Sequence, residues 1–220
     1  MIKFLILYIL LLADNIVIAQ DTVRVLLDND FEFRDGVFLN FSQVVSNTPI
    51  DREQILTDID KDAIDFYEKL MKQDFIRFID SGTTQTIDTK QIWGFCDEGT
   101  LFIHWGDDFA KIITKGHLGY FIATQRITYY SSPYYPSYYY DPYMSYEHSS
   151  AEVHHYIIDF STGKVYDFSS QSMSEILKDS DPMLYQQFVG LSRRKQKKLV
   201  FYYLRLFNKR NPLYLTIKKQ

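Results

Sequence analysis

Ile92-Trp93-Gly94-Phe95-Cys96-Asp97-Glu98-Gly99-Thr100-Leu101-Phe102-Ile103-His104-Trp105 is two aromatic-rich apolar runs separated by an acidic turn that ends in glycine. β-Branched and aromatic side chains suit a pleated, packed surface, and a short connection containing glycine joins antiparallel neighbours. The stretch therefore predicts a β-hairpin. The same period-two pattern extends outward. It appears before the hairpin over 75–79 and after it over 109–114 and 118–128, with a break at Gly116-His117. It resumes over 153–160, turns at Ser161-Thr162-Gly163-Lys164 and returns over 165–168. Nearer the start, 21–41 alternates loosely around Asp35-Gly36 and predicts two short strands, followed by a short helix over 42–45.

Helical spacing appears in two places. Between Asp58 and Lys72, Ile59, Ala63, Phe66, Tyr67, Leu70 and Met71 recur every three or four residues, which predicts one helix with a single buried face. After the sheet, Ser172 followed by Glu175 reads as a capping box, and Asp181-Pro182 as an N-cap with proline at the first helical position. Leu184, Tyr185, Phe188 and Leu191 then face a core. A last helix over 192–209 places Leu199, Val200, Tyr203, Leu204 and Phe207 on one side before Asn211-Pro212 ends it. The fold class expected is α+β: an antiparallel β-sheet meander with an inserted Tyr-rich hairpin loop and C-terminal helices.

The chain opens Met1-Ile2-Lys3, runs apolar from Phe4 to Ala13 and reaches Val17-Ile18-Ala19, which reads as a secretory signal cleaved before Gln20. The apolar run ends at Asp14-Asn15, well short of the ~20 residues that span a bilayer, so a retained anchor is the weaker reading. Residues 20–220 are then expected to fold as one domain, exported to the periplasm or cell envelope. A single cysteine, Cys96, forms no internal disulfide, so packing must supply the stability.

Charge is segregated along the chain. Without Lys3 and Asp14 there are 23 basic and 27 acidic residues, and ten basic but no acidic ones fall in 193–220. That leaves 13 basic against 27 acidic residues elsewhere, a surface that repels a phosphate backbone and argues against nucleic acid as a partner. On the last helix Arg194, Lys198, Arg205 and Lys209 share one face opposite the apolar arc. Such a face is either a solvated exterior or a surface for anionic membrane.

Residues 129–146 hold nine of the eighteen tyrosines, with Pro133, Pro136 and Pro142 among them, and the biased segment extends to about 150. Proline forbids a regular ladder there, so the segment is expected to be a long hairpin loop. Tyrosine combines a flat apolar ring with a hydroxyl at low entropic cost, so Tyr134, Tyr135, Tyr138, Tyr139, Tyr140 and Tyr143 are candidate contacts for a protein or glycan. The alternative is a loop whose rings simply seal the sheet.

Other constellations are weaker. Glu147, His148, Glu152, His154 and His155 offer metal-type donors, but on a strand His154 and His155 point to opposite faces, so only Glu152 and His154 could share an ion. Asp58-x-Asp60-x-Asp62 imitates a calcium loop, yet its sixth position is Ala63 and its twelfth Lys69. An acidic first helical turn accounts for the same residues. Cys96 stands beside Asp97 and Glu98, which oppose a thiolate, and no Gly-x-Ser-x-Gly or glycine-rich phosphate loop is present. No cofactor is implied.

Asp35-Gly36-Val37-Phe38-Leu39-Asn40-Phe41 with Asn47-Thr48-Pro49-Ile50, then Ile92-Trp93-Gly94-Phe95-Cys96, then Tyr203-Leu204-Arg205-Leu206-Phe207-Asn208-Lys209-Arg210-Asn211-Pro212 together resemble a family of exported Bacteroidetes proteins, a domain of unknown function. The resemblance implies export and supplies no catalytic residue. The expectation is a non-catalytic envelope interaction or binding module. The alternatives are a hydrolase acting on envelope or dietary polysaccharide through its carboxylates, and a peripheral membrane-surface protein using the basic helix.

Overall fold

The computed structural model describes residues 22–131 and 146–218; the predicted signal lies outside them. Seven antiparallel strands form the main sheet. They are β2 (Gly36–Phe38), β6 (Gly94–Asp97), β7 (Thr100–Trp105), β8 (Asp108–Thr114), β9 (Leu118–Ser131), β10 (Tyr146–Asp159) and β11 (Val165–Asp167). Their spatial order is β11-β10-β9-β8-β7-β6-β2, so the meander runs from β6 to β11 and β2 closes one edge. β3 (Ile55–Leu56), β4 (Phe75–Asp80) and β5 (Thr83–Asp88) make a small second sheet, and β1 (Thr22–Leu26) pairs with β12 (Tyr214–Lys218). With α1 (Phe41–Ser46), α2 (Phe66–Leu70), α3 (Ser170–Ser180), α4 (Pro182–Val189) and α5 (Arg193–Arg210), the architecture is the α+β one expected.

Strand alternation divides the main sheet between two faces. On the first, Leu101, Ile103, Ala110, Ile112, Phe121, Tyr156 and Ile158 pack under Leu27, Phe31, Phe33, Val44 of α1 and Leu215 of β12. The opposite face has two covers. At one end Leu118 and Ile157 pack under Met173, Ile176, Leu184, Phe188, Leu204 and Phe207 of the C-terminal helices. At the other, Val37 and Phe95 pack under Phe66, Tyr67 and Leu70 of α2 and Ile76 and Phe78 of β4. β6 and β7 approach so closely that a Cβ on Gly94 would lie 2.1 Å from the Phe102 carbonyl oxygen, which only glycine permits.

The structure corrects several expectations. The helix predicted over 58–72 is helical only over α2, because side chains before it bond locally instead. Thr57 Oγ1 accepts the Ile59 N–H and Asp60 Oδ1 accepts the Asp62 N–H at 3.1 Å, turns that compete with a helix. The aspartates therefore precede the helix and do not form its first turn. The first C-terminal helix is capped by Ser169, whose hydroxyl accepts the Ser172 N–H at 3.0 Å; the Ser172–Glu175 capping box is not its start. The polar strand β5 has no apolar alternation to reveal it; Asn211-Pro212 ends the last helix as expected, and a further strand, β12, follows it.

The tyrosine-rich hairpin is also longer in strand than expected. β9 and β10 pair with each other along fourteen residues each, from Leu118↔Asp159 out to Ser131↔Tyr146, so Tyr129, Tyr130 and Tyr146 occupy ladder positions. The three prolines fall in 132–145, where they do not interrupt the described ladder.

Asp181 fastens α4 to α5. Its buried carboxylate accepts the Leu184 N–H at 3.0 Å, the Arg210 Nε at 2.8 Å and the Asn211 side-chain amide at 3.2 Å. The Arg210 bond, reinforced by the Leu184 amide, holds its pKa down at about 2. A depressed carboxylate pKa contributes stability above its unfolded value of about 4 and loses it as pH falls through about 2. Asp181→Asn, which keeps a capping oxygen but removes the charge facing Arg210, should therefore lower unfolding free energy by about 2 kcal/mol at neutral pH. Denaturant titrations should show the gap closing toward pH 2; a gap constant with pH would contradict this.

Candidate functional site

Where β6, β7 and β8 emerge from under α2, three phenylalanines of the sheet form the floor of an open cleft of about 540 Å³. Phe95 and Phe102 are paired across β6 and β7 and stack with ring centroids 4.7 Å apart and planes at 9°. Phe109 meets Phe95 edge-on at 5.3 Å, and Tyr67 of α2 stacks on Phe95 at 5.9 Å. Phe95 is buried, while Phe102 and Phe109 are partly exposed, so the platform is both supported and accessible. Ile64 stands 90% exposed at the rim.

Carboxylates surround this floor: Asp65 and Glu68 from the α2 side, Asp97 at the end of β6, Asp107 in the β7–β8 turn and Asp108 at the start of β8. Lys72 is the one cation in the lining. Two of the acids are already paired within the helical turn, Asp65 with Lys69 at 2.8 Å and Glu68 with Lys72 at 2.7 Å. Asp107 and Asp108 form no ion pair among the described residues. Burial, then the neighbouring Asp35 charge, raises the pKa of the Asp97 carboxyl above its ordinary value, while Arg52 at 3.7 Å opposes the rise. Arg52 is held by the Lys61 carbonyl and lies over the Phe66 and Tyr67 rings at 4.9 Å each. The cleft thus offers an apolar π surface with negative charge around it, an arrangement that attracts cations.

None of these positions was a predicted site, although the hairpin that contains three of them, Phe95, Asp97 and Phe102, decides the fold. The available signal was Leu101-Phe102-Ile103 together with Phe95-Cys96, apolar on both faces, which requires covers on both sides of the sheet. Where a cover stops, an aromatic edge is left in the open.

The predicted contacts Tyr134, Tyr135, Tyr138, Tyr139, Tyr140 and Tyr143 lie outside the described residues. The histidines separate as alternation requires. His155 Nδ1 meets the Tyr120 hydroxyl at 2.6 Å in an aromatic cluster with Phe168, whereas His154 Nε2 lies 3.5 Å from Glu152 on the other face. Among the described residues no three His, Cys, Asp or Glu side chains are placed to hold a metal ion. Cys96 is buried in β6 and donates to the Phe33 carbonyl at 3.4 Å. Burial raises its pKa first and Asp35 second; the sequence neighbour Asp97 contributes least. On α5, Arg194, Lys198, Arg205 and Lys209 are all exposed while Val200, Tyr203, Leu204 and Phe207 are buried.

No family model, curated protein or solved structure matches the chain.

The Cys96 environment predicts a thiol inert in the folded protein. A chromogenic disulfide reagent at pH 8 should react with it only at the rate of unfolding and completely in denaturant. Rapid labelling of the native chain would contradict that burial.

Proposed function

We propose that this chain is an exported, non-catalytic interaction module of a bacterial cell envelope, and that it holds a positively charged segment of a partner protein in the Phe95–Phe102–Phe109 cleft. The carrying observation is the stacked aromatic floor bordered by five carboxylates and one lysine. A lysine or arginine side chain laid on such a floor gains cation–π attraction and meets Asp107 and Asp108 at its charged end. Export rests on the Lys3, Phe4-to-Ala13 and Ala19 pattern, and the Bacteroidetes family resemblance points the same way. Among the described residues no helix is long and apolar enough to cross a membrane. The tyrosine-rich hairpin is a second contact surface in this reading, serving protein or glycan.

One observation favours a second reading, the polysaccharide hydrolase. Asp97 lines the cleft with its carboxyl pKa raised by burial, and four other carboxylates line the same cleft, which supplies the carboxyl groups a glycosidase uses. Asp97→Asn separates the two readings. It abolishes any release of reducing sugar in the hydrolase reading, and in the binding one it weakens peptide binding less than loss of Asp107 and Asp108 does.

The direct test is calorimetric titration with an oligolysine peptide at low salt. The unmodified protein should bind it, and Asp107→Asn with Asp108→Asn should weaken binding about tenfold, as should Phe102→Ala. Added salt should weaken the unmodified protein most. Affinity unchanged in both variants would remove the cleft as the site.

A further inference from the structure

At the foot of α5 a second pocket, of about 410 Å³, lies between the helix, the β8–β9 turn and the end of β1. Three basic residues from two elements line it: Lys115 from the turn, and Arg205 and Lys209 from α5. Lys115 Nζ donates one bond, to the Phe31 carbonyl, which fixes the ammonium in place with other protons free to donate. Arg205 lies over the Phe201 ring at 5.1 Å. Among the described residues no carboxylate pairs with any of the three. Asp28 also lines the pocket, but its Oδ1 is engaged by the Asp30 and Phe31 N–H groups of its own turn. The site is therefore a cationic concavity with net positive charge.

Its walls are apolar. Leu26, Leu27 and Pro212 line it, and Leu26 carries that surface outward, 37% exposed and paired across the β1–β12 ribbon with Tyr214, itself 46% exposed. Arg24 lies over the Tyr214 ring at 5.3 Å and adds a fourth cation beside the exposed pair. We propose that this pocket binds a phosphate-type oxyanion borne on an amphipathic body, the chemistry of an anionic lipid headgroup, with Lys115, Arg205 and Lys209 on the anion and Leu26 and Tyr214 against the apolar part. Guanidinium and ammonium donors supply the charge-assisted bonds, and the exposed apolar pair supplies the interfacial anchor. Lys209 also complements the negative end of the α5 dipole together with Arg210, a role that requires no ligand and would alter stability alone.

The test is co-sedimentation of the purified protein with phosphatidylglycerol vesicles and with phosphatidylcholine vesicles at low salt, alongside titration with inorganic phosphate. Expected is binding to the anionic vesicles only, reduced about tenfold by Lys115→Gln and further by Arg205→Gln with Lys209→Gln. Arg194→Gln with Lys198→Gln, on the same helix face but outside the pocket, should reduce it less than threefold. Lys115 lies off the helix, so its variant leaves α5 intact, and thermal melts check that the others remain folded. Equal losses in the two helix pairs would mean diffuse charge attraction and overturn the pocket. Binding of inorganic phosphate without vesicle binding would overturn the lipid source, and binding to neither would overturn the site.

Discussion

The seven-stranded sheet carries apolar side chains on both faces, and the need to cover both organises everything else in the molecule. One face is closed by segments from the two ends of the described chain, since β1 pairs with β12 and places Leu27 and Leu215 in the same core. The other face is shared between the C-terminal helices and the α2 unit with its small sheet. Between these covers the central strand β8 is left with Ile113 half exposed, and at the edge of the α2 cover Phe102 and Phe109 reach solvent. The candidate binding surface is thus a consequence of how the sheet is covered. It is not a separate motif attached to the fold.

Charge follows a parallel division. The acidic residues all precede α5, including those at the rim of the aromatic cleft, while α5 and the strand after it carry basic residues and no acidic ones. The two surfaces suit ligands of opposite sign. A chain that met an anionic surface through the foot of α5 would present that surface with its most basic region, while the carboxylate rim would remain suited to a cationic partner.

Much of the architecture was legible in the sequence because its signals are local. The 92–105 hairpin, the strands through 168 and the buried side of α5 all follow from periodicity and turn chemistry. What was not legible depends on competition or on distance. Residues 58–65 carry helical spacing, but Thr57 and Asp60 bond to their own backbone and leave helix only over Phe66–Leu70. β5 is a strand because Thr83–Asp88 pairs with Phe75–Asp80, which no pattern within Thr-Thr-Gln-Thr announces. The cleft joins residues of α2 to residues some forty positions later, and the basic pocket joins Lys115 to Arg205. Side-chain type alone drew attention to the tyrosines, whereas exposure of phenylalanine could be seen only after packing.

The most direct measurement is backbone NMR of the isotopically labelled protein during titration with an oligolysine peptide. The account predicts shift changes centred on Phe95, Phe102, Asp107 and Phe109, with α5 undisturbed. Changes confined to 129–150, with the cleft silent, would contradict it and assign partner binding to the tyrosine-rich hairpin instead.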